Sequence, residues 1–168
     1  MNNFLLVVTL LPVVFMFHDF EEIIFMKSWF NKNGQWLAEK FPFLPKTLFS
    51  HFESTTTANF ALMVAEEFIL VSLVTYLGIL SGNYYWWLGA FMAFSVHIVI
   101  HLIQWIVVRR YIPVIVTSLL CLPYCIYGIV QILHTNEFTS IEIAVCTLIG
   151  MVLTALNLLL IHRIFSRL

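Results

Sequence analysis

The chain has 168 residues, of which 61% are hydrophobic and only 10% are charged, and its formal net charge is -1. Soluble domains carry about 25% charged residues, so this composition excludes an ordinary soluble protein and predicts an integral membrane protein. The sequence has no cluster of lysine and arginine typical of nucleic-acid binding, so no nucleic-acid partner is expected.

Five apolar runs are each long enough to cross a bilayer as a helix, which takes about 20 residues. These runs cover residues 4–26, 58–80, 85–108, 111–133 and 141–163. No basic residue or cleavage pattern marks the first run as a signal peptide, so we expect it to be retained. The sequence therefore predicts an all-α fold. We expect a polytopic membrane helix bundle of about five transmembrane helices, forming a single domain over residues 1–168.

The lysines and arginines all fall in segments that five spans would place on one side of the membrane. They are Lys27, Lys32, Lys40 and Lys46 after the first span, Arg109 and Arg110 after the third, and Arg163 and Arg167 at the C-terminal end. The positive-inside rule makes this side cytoplasmic. We therefore expect the N-terminus outside and the C-terminus in the cytoplasm, in a plasma or inner membrane.

Residues 27–57 form the one long connection between the predicted spans, and they combine lysines with aromatic side chains. Trp29, Trp36 and the FPFLP stretch at 41–45 lie among the lysines, a mixture typical of segments at the lipid headgroup level. The pattern predicts an interfacial loop over 27–57. Its role is open between an anchor on the membrane surface and a lid over a site beneath it.

Eight acidic and histidine side chains lie inside the predicted spans, where no lysine or arginine accompanies them. They are His18, Asp19, Glu21, Glu22, Glu66, Glu67, His97 and His101. An ionised side chain at the bilayer centre costs about 3 kcal/mol even on lenient insertion scales. The counter-charge must therefore come from bound metal, bound protons or a cationic substrate.

Helical spacing brings several of these side chains onto shared faces. His18, Glu21 and Glu22 stand at i, i+3 and i+4, and His97 and His101 stand at i and i+4. At a rise of about 1.5 Å per residue, the polar groups of three spans lie roughly 7 to 18 Å from the cytoplasmic ends of those spans. Their overlapping depths predict one shared site in the cytoplasmic half of the bilayer.

Mixed carboxylate and imidazole ligands favour zinc, iron or manganese, so the expected cofactor is one or two divalent metal ions. The candidate ligands are His18, Glu21, Glu22, Glu66, Glu67, His97 and His101. This inventory is similar to that of di-iron helix bundles, although the order of histidine and glutamate is reversed here. Glu22, the shallowest of these acids, is the candidate catalytic residue, acting as a general base.

Two short stretches carry a resemblance to a known family. HDFEE at 18–22, in the first span, and HIVIH at 97–101 resemble the motifs of the HXXEE-motif family of small integral membrane proteins. The resemblance extends over the whole chain and implies that His18, Glu21 and Glu22 are functionally important. The family is functionally uncharacterised, so the resemblance supplies no reaction.

Three functions remain open. The first is a metal-dependent membrane enzyme that acts on a lipid or other amphiphile by hydrolysis or oxidation. The second is a proton- or ion-coupled transporter or channel component, although the outer halves of the spans offer mainly threonine, serine and tyrosine as polar groups. The third is a structural or partner-binding membrane protein. Membrane lipid is an expected partner in each case, an amphiphilic small molecule is the expected substrate of the enzyme, and a homo-oligomer is left open.

Overall fold

The computed structural model describes residues 3–43, 45, 49 and 54–165, and the side chains up to residue 164. Within this part of the chain five long helices form a bundle without strands: α1 (Asn3–Lys40), α2 (Thr57–Ser81), α3 (Tyr85–Val108), α4 (Ile115–Thr135) and α5 (Ser140–Phe165). All five are long and apolar enough to cross a membrane. The predicted all-α membrane helix bundle is therefore confirmed.

The predicted second to fifth spans coincide closely with α2 to α5. The largest difference is at the start of α4, which begins at Ile115 instead of residue 111. Pro113 lies just before this helix, and Val114 takes a φ of 134°, outside the helical region. This irregular backbone separates α3 from α4 and delays the start of α4.

The first helix is much longer than its apolar run, so the predicted interfacial loop over 27–57 is wrong for residues 27–40. These residues continue α1 to Lys40, because they contain good helix formers and no proline. The helix ends before Pro42, which cannot continue it. We call residues 27–40 the stem of α1. Lys46 and Arg167, which entered the orientation argument, lie outside the described residues.

The stem packs against the connection between α3 and α4. The indole nitrogen of Trp29 donates to the carbonyl oxygen of Tyr111 at 2.8 Å, and the Arg110 guanidinium lies 3.9 Å from the centre of the Trp36 ring. Lys40 Nζ donates to the carbonyl oxygen of Val108 at 2.9 Å. That carbonyl belongs to the last turn of α3, where a positive charge is favourable. The stem therefore fixes the position of the residues that lead into α4.

The apolar core lies between α1, α3 and α4. Leu11, Trp87 and Phe91 are fully buried there, and the rings of Trp87 and Phe91 stack with their centres 5.2 Å apart. Leucine, isoleucine and valine side chains cover the outer faces of the helices. An apolar outer surface of this kind suits contact with lipid.

A pair of glycines allows α3 and α5 to touch backbone to backbone. A Cβ atom added to Gly150 would overlap the backbone of Gly89, with its carbonyl carbon only 2.6 Å away. A Cβ atom on Gly89 would in turn lie 3.2 Å from the carbonyl oxygen of Cys146. Small residues that permit such close approach are a common basis of helix association in membranes.

The described lysines and arginines lie at one end of the bundle. α3 and α5 begin side by side, since the hydroxyl of Tyr85 donates to Glu142 Oε1 at 2.8 Å. They also touch at the glycine contact, so they run in the same direction and end together. Arg109 after α3 and Arg163 in α5 therefore lie at the same end as the stem and its lysines. We call this the basic end; Glu137 and Glu142 lie at the opposite end.

Replacing Gly150 with alanine should destabilise the bundle, because the added methyl group overlaps the Gly89 backbone. Overpacking of this kind costs about 1 to 3 kcal/mol, so we expect a lower melting temperature in detergent. Ala155→Leu is the control, because Ala155 lies on an exposed face of the same helix. Equal melting temperatures for Gly150→Ala and the unmodified protein would contradict the close contact of α3 and α5.

Candidate metal centre

His18 lies at the centre of a buried polar cluster and is 0% exposed. α1 places its ring between α3 and α4. Its Nδ1 lies 3.2 Å from the hydroxyl oxygen of Thr117, in the first turn of α4. Its Nε2 lies 3.3 Å from Nε2 of His97, on α3. Both ring nitrogens of His18 therefore face side chains of other helices, Thr117 of α4 and His97 of α3.

The hydrogen bonds around Thr117 determine which nitrogen of His18 carries its proton. The hydroxyl of Thr117 donates to Glu21 Oε2 at 2.7 Å, and its backbone N–H donates to the same oxygen at 2.8 Å. The single hydroxyl proton is thereby used, so Thr117 can only accept from His18. The proton of neutral His18 is thus on Nδ1, and the lone pair of Nε2 faces His97.

Glu21 is held from a second direction by Tyr111, which precedes α4. The phenol hydroxyl of Tyr111 donates to Glu21 Oε1 at 2.8 Å. Partial burial and this hydrogen bond raise the pKa of Tyr111 to about 12, so the phenol keeps its proton at neutral pH. Both oxygens of Glu21 therefore accept hydrogen bonds, and the glutamate orients Thr117, which in turn orients His18.

His101 is oriented in the same way by a residue of its own helix. Its Nδ1 lies 2.8 Å from the side-chain carbonyl oxygen of Gln104, which can only accept a hydrogen bond. The proton is therefore on Nδ1. The Nε2 lone pair of His101 faces Nε2 of His97 at 2.8 Å. His97 thus lies between two rings that both direct Nε2 toward it.

These three histidines lie close enough together that they could hold a metal ion. One nitrogen from each of His18, His97 and His101 lies within 4.8 Å of the other two. Tetrahedral zinc with bonds of about 2.0 to 2.1 Å separates its nitrogen ligands by about 3.3 to 3.4 Å. The distance between His18 and His97 already has this value, at 3.3 Å. The 2.8 Å between His97 and His101 is that of a hydrogen bond, so binding an ion requires those rings to separate by only about half an ångström.

Carboxylates lie beside this histidine site. One oxygen of Asp19 and one of Glu22 lie within 4.8 Å of each other and of a ring nitrogen of His97. Glu67, from α2, interacts electrostatically with both carboxylates. We call Asp19, Glu22 and Glu67 the acidic group. Asp19 is not among the ligands predicted from the sequence, although it is buried with 5% of its surface exposed.

The remaining predicted ligands face other partners in the structure. Glu21 is bonded to Thr117 and Tyr111, as described above. Glu66 Oε2 accepts a hydrogen bond from the side-chain nitrogen of Asn157 at 2.9 Å, which ties α2 to α5. Neither glutamate is among the grouped ligand atoms, so metal coordination by either stays a prediction. Sequence reasoning gave no role to Thr117, whose only signal was a polar residue within the predicted span 111–133.

A model of the family described as "Protein of unknown function with HXXEE motif" matches residues 9–128. The match contains the three site histidines, the acidic group and Thr117. No match was found among curated proteins or among solved structures. The family model covers well over half of the chain and includes the motif residues His18, Glu21 and Glu22, so this membrane protein belongs to the HXXEE-motif family.

Proposed function

We propose that this protein is a metal-dependent membrane enzyme that acts on a lipid or another amphiphile. The convergence of His18, His97 and His101 is the observation that carries the proposal. Hydrogen bonds place the protons of His18 and His101 on Nδ1, so their Nε2 lone pairs face the third ring. Three neutral imidazoles with a further position open are the usual ligand arrangement of a catalytic zinc site. Iron also accepts such ligands.

A divalent ion bound by these histidines would activate water or polarise an oxygen of the substrate, which suits hydrolysis, or oxidation in the case of iron. Glu22 is then the residue best placed to take up a proton as a general base. One carboxylate oxygen of Glu22 lies within 4.8 Å of a ring nitrogen of His97, and the side chain of Glu22 is partly exposed. Glu21, which already accepts three hydrogen bonds, keeps an orienting role.

The position of the site supports an amphiphilic substrate. Glu21 contacts Tyr111 and the first turn of α4, so the site lies in the half of the bundle next to the basic end. The outer surface around it is apolar. A small cavity between α1 and the start of α2 connects Glu22 with Thr55, Thr56 and Thr57. A molecule with a polar headgroup and an apolar tail fits this combination of surfaces.

Positive charges at the basic end support a cytoplasmic location of that end under the positive-inside rule. The site would then open toward the cytoplasmic leaflet, with the N-terminus of the chain on the outer side.

Proton-coupled transport is the second candidate, and the row of histidine rings supports it. The Nε2 atoms of His18 and His101 lie 3.3 and 2.8 Å from Nε2 of His97, distances at which a proton can pass between rings. Metal content separates the two candidates, because a relay needs no ion.

Purified protein should contain stoichiometric divalent metal, and His97→Ala should remove it, because His97 faces both other rings. Elemental analysis measures this directly. Metal at 100 times its dissociation constant should also stabilise the folded protein by about 2.7 kcal/mol. His134→Ala, at an exposed position of α4 far from the site, is the control. A protein that carries no metal and gains no thermal stability from added zinc, iron or manganese would exclude the metal centre.

Thr117→Val should weaken metal binding without removing a ligand, because it breaks the link from Glu21 to His18. Loss of a group that orients a ligand typically costs about 10- to 100-fold in affinity. Thr117→Ser, which keeps the hydroxyl, should restore most of the loss. Thr147→Val serves as control, since that hydroxyl only donates to a carbonyl of its own helix. If Thr117→Val and Thr147→Val bind metal equally well, the orienting role of Thr117 is refuted.

Single cysteines test the orientation. Asn31→Cys, in the exposed part of the stem, should react with a membrane-impermeant thiol reagent only from the cytoplasmic face, because the stem belongs to the basic end. Glu137→Cys, in the connection between α4 and α5, should react only from outside. The reverse pattern of labelling would show that the basic end faces outward.

A further inference from the structure

We propose that the acidic group of Asp19, Glu22 and Glu67 is a second cation site, adjacent to the histidine site, which takes a hard divalent cation such as Mn²⁺ or Mg²⁺. The inference deepens the proposed function, because it would make the centre of the bundle a site for two ions. It rests on that function only for its catalytic meaning, since Asp19 and Glu22 supply carboxylate ligands that the histidine site does not use.

Two buried carboxylate oxygens in this group lack hydrogen-bond partners. Among the described residues, Asp19 Oδ2 and Glu67 Oε1 are buried and accept no hydrogen bond. Asp19 as a whole has only 5% of its surface exposed. A buried polar atom without a partner costs about 1 to 3 kcal/mol, and more when it is charged. A cation bound by the Asp19 carboxylate, beside Glu67, would offset that cost.

The carboxylates are directed toward a common region. Asp19 and Glu22 stand at i and i+3 on α1, which places them on one face of the helix. Their ligand atoms and one of His97 lie within 4.8 Å of one another. Ligands bound to one cation at about 2.1 to 2.5 Å lie at most about 4 to 5 Å apart. Glu67, on α2, is not among these grouped atoms; it adds a further carboxylate that interacts electrostatically with both acids.

The chemistry of this group differs from that of the histidine site. Carboxylate oxygens favour manganese, magnesium or calcium, whereas imidazole nitrogens favour zinc, copper or iron. Three carboxylates also supply the negative charge that a divalent ion requires in an apolar surrounding. His97 is within reach of both groups, so the two ions would be close neighbours. With the second ion bound, Glu22 would hold that ion instead of acting as a free base, and the paired ions would stabilise the attacking and the leaving oxygen of one hydrolytic reaction.

A small cavity lies beside one member of the acidic group. Glu22 lines this cavity of about 20 Å³ between α1 and the start of α2. A space of this size holds one water molecule. Thr55, Thr56 and Thr57 line its other side, so the carboxylate of Glu22 is the part of the acidic group next to this space.

The experiment uses the full-length protein in detergent with two probes, Zn²⁺ measured by elemental analysis and Mn²⁺ titrated by electron paramagnetic resonance. Zinc-loaded protein should bind one further equivalent of Mn²⁺. Asp19→Asn and Glu67→Gln should each weaken Mn²⁺ binding roughly tenfold or more and leave zinc content unchanged. His101→Ala should lower zinc content and leave Mn²⁺ bound. Asp19→Asn and Glu67→Gln retain the shape of the original side chains, and their melting temperatures show whether they fold.

Glu39→Gln is the matched control, because Glu39 lies at an exposed position of the stem and should not affect either ion. Zinc binding without any Mn²⁺ binding, or Mn²⁺ binding that Asp19→Asn and Glu67→Gln leave unchanged, would overturn the second site and leave the histidine site standing. Mn²⁺ binding that depends on Asp19 in a protein that binds no zinc would support the acidic site and overturn the histidine site. Absence of both ions would overturn both.

Discussion

The burial of His18 in an apolar bundle is the constraint on which the rest of the site depends. The ring is 0% exposed, so each of its nitrogens needs a hydrogen-bond or ligand partner within the bundle. The hydroxyl of Thr117 accepts a hydrogen bond from Nδ1 of His18, because it donates its own proton to Glu21. The direction of these hydrogen bonds leaves a lone pair on Nε2 of His18. A histidine that could otherwise adopt either tautomer is thereby held in one of them.

This chain of hydrogen bonds spans the gap between α1 and α4, so it needs the first turn of α4 at a defined position. A small apolar cluster of Ile112, Val114 and Ile115 packs against Met26 and Trp29 next to that turn. The hydrogen bonds of the stem to the connection between α3 and α4 act on the same segment. The stem therefore contributes to the geometry of the site although it lies outside the apolar run of α1.

The two glutamates of the motif face different neighbours because consecutive residues on a helix point about 100° apart. Glu21 points toward α4, where three donors occupy its oxygens. Glu22 points toward His97 and Asp19 and lines the cavity beside α2. One carboxylate thus orients Thr117 and through it His18, while the other lies beside His97 and the cavity. A motif with paired acids supplies both functions within one turn of helix.

The sequence alone was sufficient to predict the helix bundle, because a chain that crosses lipid as helices must form apolar helices of a minimum length. The close approach of α3 and α5 was not foreseen, since it depends on two glycines that lie 61 positions apart (89 and 150). The extension of α1 to Lys40 was missed because hydropathy identifies the part of a helix in lipid and not the part beyond it.

The sequence by itself also determined that His18, Glu21 and Glu22 share a side of α1, and that His97 and His101 share a side of α3, because helical periodicity is local. Only the tertiary structure decided which neighbours those faces meet. Thr117 is 99 residues from His18, and Asn157 is 91 residues from Glu66. The hydrogen bond from Asn157 ties Glu66 to α5. An oxygen of Asp19 lies within 4.8 Å of one of Glu22, which places Asp19 in the acidic group. Spacing along one helix specifies a direction around its axis, whereas contacts between helices depend on their packing, which no local pattern encodes.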